Sequence, residues 1–253
     1  MLGEEESGPS VLRHIWLLPV ASFVLFPGSF FASYGVAVYY NHVNQSSWPY
    51  VSQVLAHLPE ANIFGELLNI AVVLLLLCIY LRHRQVVHFY GRDLCNTDHA
   101  WKWACNILLY TGALCALGLL IVANFQISNA PHAYLTGALV TVVFGTLYAW
   151  GQTLFTYLMK PRMSGLLMAH LRLLLSLIAT VCLFTTHLGP MMLRTVSEWV
   201  ALTAFCLFIL SFAWELRCAS VMMPRLRLKG RLAAGAIVRR FPEPALSYGS
   251  MDS

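Results

Sequence analysis

Residues Leu119–Tyr134 read LLIVANFQISNAPHAY. A strongly apolar run passes into Ala123, Asn124, Phe125 and Gln126, and the chain then turns through Asn129, Pro131 and His132. Amides rather than charges at the end of such a run fit a helix reaching a membrane boundary. An amide there can bond carbonyls left open at a helix end or bridge to a neighbouring helix, for about 0.6–2 kcal/mol per contact. The turn at Ser128–His132 is so short that the helices on either side must be antiparallel neighbours.

The rest of the chain agrees with a membrane setting. Of 253 residues, 58% are hydrophobic and 11% charged. A soluble domain carries about 25% charged residues, so a water-facing surface could not be covered here. Six stretches are apolar enough to span: Ile15–Tyr40, Phe64–Leu81, Ala104–Asn124, Tyr134–Leu158, Leu166–Leu188 and Val196–Leu216. A spanning helix needs roughly 20 such residues to cross a core of about 30 Å. Backbone groups in hydrocarbon must satisfy one another, and no alternating strand pattern suggests a barrel. The fold class is therefore all-α, a polytopic membrane protein with six transmembrane helices. Pro27 in the first stretch predicts a kink. The residues before that stretch, MLGEEESGPSVLR, are acidic where a secretory signal is basic, so it reads as a retained helix.

The charges orient the bundle. Apart from Arg172, inside helix five, and Arg194, between helices five and six, every Lys and Arg falls before helix one, between helices two and three, between helices four and five, or after helix six. Basic residues favour the cytosol, so both termini are expected there. The expected organisation is a cytosolic N-terminus over 1–14, a six-helix transmembrane domain over 15–216, and a basic, mostly disordered cytosolic tail over 217–253. The net charge of +5 then belongs to a solvated flank near anionic lipid rather than to a nucleic-acid groove. The bilayer is the expected partner, and no nucleic acid is.

The same topology puts Asn44, in Asn44-Gln45-Ser46, in the first lumenal loop as a glycosylation acceptor, although close to helix one. None of the seven cysteines falls in a lumenal loop, so no structural disulfide is expected. Cys105 and Cys218 lie beside the membrane, as packing cysteines or acylation sites. Near the C-terminus, Tyr248-Gly249-Ser250-Met251 matches a tyrosine-based sorting signal. A clathrin adaptor would read Tyr248 and Met251 in two pockets along a sheet edge. The other reading is a chance match in a flexible tail.

Polar residues within the spans are costly and are the candidate sites. Glu66, Asn69, Asn124, Gln126 and Glu198 lie toward the lumenal ends. Glu66, Asn69, Asn124 and Glu198 read either as a cluster that senses protons or binds a headgroup, or as interfacial groups facing water, with Arg194 one turn from Glu198. Arg172 and Glu215 lie toward the cytosolic ends of helices five and six, as a buried pair or with Arg172 snorkelling to the headgroups. Gly137, Thr141, Gly145 and Ala149 form a small-residue stripe that lets another helix approach, here within the chain. The nine histidines make no HExxH, and neither a phosphate-cradling glycine loop nor a Gly-x-Ser-x-Gly elbow occurs. No catalytic residue, metal site or cofactor is expected.

The order of landmarks resembles the DRAM family, the damage-regulated autophagy modulators, within the wider Frag/DRAM membrane proteins. The matching pieces are Tyr50-Val51-Ser52, Pro59-Glu60, Ile63-Phe64-Gly65, Leu68-Asn69-Ile70-Ala71 and Ile79-Tyr80-Leu81-Arg82. They continue with Ile121-Val122-Ala123-Asn124-Phe125-Gln126, His132, Gly137, Leu147-Tyr148, Gln152-Thr153 and Glu198-Trp199. The resemblance implies six spans, a lysosomal or endosomal membrane, partners in the autophagy machinery, and a non-enzymatic role in modulating autophagy. A sister branch linked to plasma-membrane phosphoinositide control carries cysteines in the first lumenal loop, and this chain has none there. The alternative readings are a regulator or subunit of a channel or phosphoinositide-kinase complex at the plasma membrane and, suggested only by distant Frag-type relatives, a lipid-remodelling enzyme.

Overall fold

Long apolar runs leave the backbone to bond within itself, and the chain does so in six long helices. The computed structural model describes residues 11–12, 14–42, 57–93, 99–158, 165–188, 190–217 and 221–222. The helices are α1 (Leu17–Tyr39), α2 (Glu60–His88), α3 (His99–Asn124), α4 (Pro131–Leu158), α5 (Leu166–Leu188) and α6 (Met191–Leu216). All six are long and apolar enough to cross a membrane. Large apolar residues such as Val73, Leu77, Ile107, Leu114, Leu147 and Val181 point outward and are exposed. Water would not tolerate so continuous an apolar outer surface, whereas lipid requires it. The chain is a multi-pass helical membrane protein.

Each helix packs on the next, and α6 returns to α1, so the six close into a ring with α2 also touching α6. Antiparallel packing of α3 on α4 follows the short turn after Asn124. It depends on two glycines. A Cβ on Gly118 would lie 2.6 Å from the backbone nitrogen of Thr141 and 2.7 Å from the carbonyl oxygen of Gly137. One on Gly137 would lie 2.7 Å from a methyl carbon of Ile121. The small-residue stripe of α4 thus serves the contact with α3, as small residues do where backbones approach closely. Where α1, α2 and α6 meet, aromatic rings fill the space. Phe30 lies 4.8 Å from Phe64 and 6.0 Å from Trp199, and Phe26 lies 6.0 Å from Phe205.

Two details differ from the sequence expectation, while Pro27 lies within α1, which continues on both sides of it. First, α2 begins before Phe64 and continues past Leu81 to His88, then ends in a π-helical turn at Phe89–Asp93. The apolar run stops at Leu81, but Arg82, Arg84 and Gln85 are good helix formers and no proline or glycine intervenes. Arg82 is therefore inside the helix and not in a loop. Second, Val11–Leu12 (β1) and Val221–Met222 (β2) pair antiparallel, Val11 opposite Met222. This short ladder reaches into the tail expected to be mostly disordered. The six helices form one compact unit, and this ladder belongs to a second.

Candidate functional site

Three charged side chains meet inside the helical ring, at the end where α1 begins and α6 finishes. Arg172, six residues into α5, is wholly buried. Its Nη1 and Nη2 donate to Oε1 and Oε2 of Glu215, each at 3.0 Å. Arg82 from α2 approaches the same carboxylate, Nη1 to Oε2 at 2.6 Å. Arg82 and Glu215 are also buried. An isolated charge placed here would cost several kcal/mol, so the site holds only because each member is bonded.

Neutral groups complete the network. The Ser211 hydroxyl donates to the Phe208 carbonyl at 2.6 Å and accepts from Arg172 Nε at 3.0 Å. The Thr156 hydroxyl donates to the Gln152 carbonyl at 2.7 Å and accepts from Arg172 Nη1 at 3.0 Å. In both cases the hydroxyl hydrogen is committed to its own helix, which turns a lone pair toward the guanidinium. Gln85 accepts from Arg82 at 3.2 Å and donates to the backbone carbonyl of Glu215 at 2.8 Å. That carbonyl lies in the last turn of α6, where no helical partner remains for it. The Phe212 ring lies 5.0 Å from Arg172 Cζ and 6.0 Å from Arg82 Cζ, within cation–π range of both. On α4, the Tyr148 hydroxyl and Gln152 Oε1 are buried with no hydrogen-bond partner among the described residues.

This arrangement joins α2, α4, α5 and α6 across the ring. Guanidinium groups present donors alone. Both oxygens of Glu215 face these donors. The geometry suits holding helices in register. Arg172, 0% exposed, does not snorkel. Among the described residues, no group of three or more His, Cys, Asp or Glu side chains could hold a metal ion.

At the opposite end, Asn69 and Asn124 exchange amide hydrogen bonds, Asn69 Nδ2 to Asn124 Oδ1 at 3.3 Å and Asn124 Nδ2 to Asn69 Oδ1 at 3.1 Å. Asn124 Nδ2 also donates to the Leu120 carbonyl at 2.7 Å. The two helices come this close because Gly65 has no Cβ; one there would sit 2.6 Å from the Ala123 carbonyl oxygen. Gln126 accepts from Asn129 Nδ2 at 2.6 Å within the turn to α4. Glu66 is exposed on α2, and Glu198 is half-buried on α6 one turn after the exposed Arg194. Between α5 and α6, Thr185 and Ser197 share a hydrogen bond of 2.5 Å. Cys105 is buried. Asn44, Cys218, Tyr248 and Met251 lie outside the described residues.

Sequence reasoning offered Arg172 and Glu215 as a buried pair, with snorkelling of Arg172 as the other reading, and counted Arg82 among loop cations. The available signal was Gln85, one turn after Arg82, which offers a polar partner on the same helix face. It also missed a contact between His42 and Glu60, 2.7 Å apart, which joins residues flanking a loop.

The family model for the Frag1/DRAM/Sfk1/Cwh43P N-terminal domain matches residues 14–219, the whole helical unit. Modulator of macroautophagy TMEM150B-B of Xenopus laevis is 32% identical over 199 residues, covering 77% of this chain and 81% of that protein. DNA damage-regulated autophagy modulator protein 2 of Homo sapiens is 36% identical over 165 residues, 62% of this chain and 57% of its own. Modulator of macroautophagy TMEM150B of Mus musculus is 30% identical over 228 residues, 85% of this chain and 91% of its own. No solved structure matches the chain. With a matched domain that takes in all six helices and the charged cluster they enclose, the chain belongs to the Frag1/DRAM/Sfk1/Cwh43P family of multi-pass membrane proteins.

Proposed function

We propose that this protein is a non-enzymatic modulator of autophagy that works in the lysosomal or endosomal membrane. One observation carries the reading: relatives named as macroautophagy modulators align with it over most of the bundle, at 32% identity in the Xenopus protein. The polar interior supports it. Its buried charges are arranged as a lock between helices, so the surface that acts on a partner is the outside of the bundle or its flanks. Autophagy-machinery proteins are the proposed partners, and an adaptor reading Tyr248 and Met251 is the proposed route to the compartment.

The test is a knockout rescued with tagged wild-type protein, with autophagic flux and the organelle carrying the tag measured in the same cells. Altered flux that the tagged protein restores from endolysosomes is the expected result. Unchanged flux with the tag at the cell surface would replace this reading with that of a plasma-membrane regulator. Surface biotinylation of Tyr248→Ala isolates the sorting step; a raised surface fraction is expected.

A further inference from the structure

The far end of α1 is shaped by a single backbone choice. Asn41 has a positive φ of 57°, which asparagine tolerates better than most residues. The Asn41 N–H then reaches the Val38 carbonyl at 3.1 Å and the His42 N–H the Ala37 carbonyl at 2.9 Å. These two bonds close the helix as a Schellman motif and fold His42 back over its end. His42 Nδ1 comes to 2.7 Å from Oε1 of Glu60, the first residue of α2. The Glu60 side chain is 1% exposed. Its other oxygen, Oε2, is buried and has no hydrogen-bond partner among the described residues. The N-terminus of α2 favours a carboxylate there, but a buried charged oxygen left without a donor remains costly.

We propose that His42 and Glu60 form a proton-binding clasp that tightens the junction of α1 and α2 when the solution at that end turns acidic. Histidine ordinarily gains its charge between about pH 5 and pH 8. With a neutral ring, Nδ1–H can donate a hydrogen bond to the buried carboxylate. Once the ring is charged, the same contact is also an ion pair, with the charge on both partners shielded from water. The charge also offsets the poorly satisfied Glu60. Tyr40 lies stacked on the His42 ring, centroids 5.8 Å apart at 20°, and its π face favours the cation. His57, with its ring 5.0 Å away, opposes the charge when it too is protonated, but it is exposed and screened by water. On α6, which also packs on α1, the charged residues at this end are Arg194 and Glu198.

The clasp is a property of the purified protein, so its failure would leave the autophagy reading untouched. The full-length chain in phosphatidylcholine nanodiscs is melted at about pH 5 and about pH 8, for wild type, His42→Gln and His57→Gln. The loss of Tm in His42→Gln is expected to be larger at the acidic pH, where the ion pair adds to the hydrogen bond. His57→Gln should keep the pH dependence of wild type. Equal losses at both pH values, or a pH dependence abolished by His57→Gln, would overturn the proposal. If His42→Gln does not fold, 15N side-chain spectra of wild type decide. A His42 ring carrying both protons, with Nδ1–H hydrogen-bonded at the acidic pH, supports the clasp; a ring with one proton there sinks it.

Discussion

Glu215 and Arg172 face each other in a two-pronged ion pair, both bonds 3.0 Å long, with Arg172 wholly enclosed by the bundle. A guanidinium and a carboxylate are the one pair of side chains whose donors and acceptors match in this parallel fashion. Arg82 shares the same carboxylate. The three groups are therefore not equivalent: one acid serves two bases.

That asymmetry predicts unequal mutational effects. Glu215→Ala leaves two buried guanidinium groups without the carboxylate between them and should cost about 3–5 kcal/mol, the usual range for breaking a buried pair from one side. Arg172→Ala leaves Arg82 still bonded to Glu215 and should cost less. Folded yield and Tm in detergent measure both. Equal losses would mean that Arg82 contributes nothing to holding the carboxylate.

The amide pair gives a milder prediction. Asn69→Leu and Asn124→Leu should each lower stability by about 0.6–2 kcal/mol. The double substitution should cost less than the sum, because each single change already breaks the two bonds they exchange. A melting curve for each of the four proteins in the cycle checks this. Strict additivity would show that the contact between them carries no energy.

Gly118→Ala probes the packing of α3 on α4. Its methyl group would meet backbone atoms of Thr141 and Gly137, which cannot rotate away. Overpacking of this kind costs about 1–3 kcal/mol. Gly35→Ala in α1, where a Cβ meets nothing within 4 Å, is the matched control and should be near neutral. Comparison of the two Tm values tests the reading.

Topology is open to a direct test. The β1–β2 ladder pairs Val11–Leu12 with Val221–Met222, and the distribution of basic residues predicts a cytosolic location for both ends of the chain. Protease added outside sealed vesicles of cytosolic-side-out orientation should remove tags from both ends. Asn44→Gln should abolish any glycan shift on a gel. A protected C-terminal tag would reverse the orientation.

The six spans were legible in the chain because spanning is a local demand: an apolar run long enough to cross lipid must be helical wherever it occurs. The stretch ending at Asn124 shows this, since its length, its amides and its short turn all act within a few residues. The Arg172–Glu215 pair was legible too, because each charge stood out against apolar neighbours on the same side of the bilayer. Arg82 was not. Its neighbours His83 and Arg84 gave it the look of a loop, and what buries it is a carboxylate on α6 that comes near only when the ring closes. His42 and Glu60 were hidden for the same reason. Their meeting depends on the left-handed turn at Asn41 and on α2 starting before its apolar run, neither of which hydropathy records. Composition and spacing determined which segments enter the membrane. The tertiary structure decided which polar groups inside it are bonded, because a buried charge is held by partners in space and not by its neighbours in the chain.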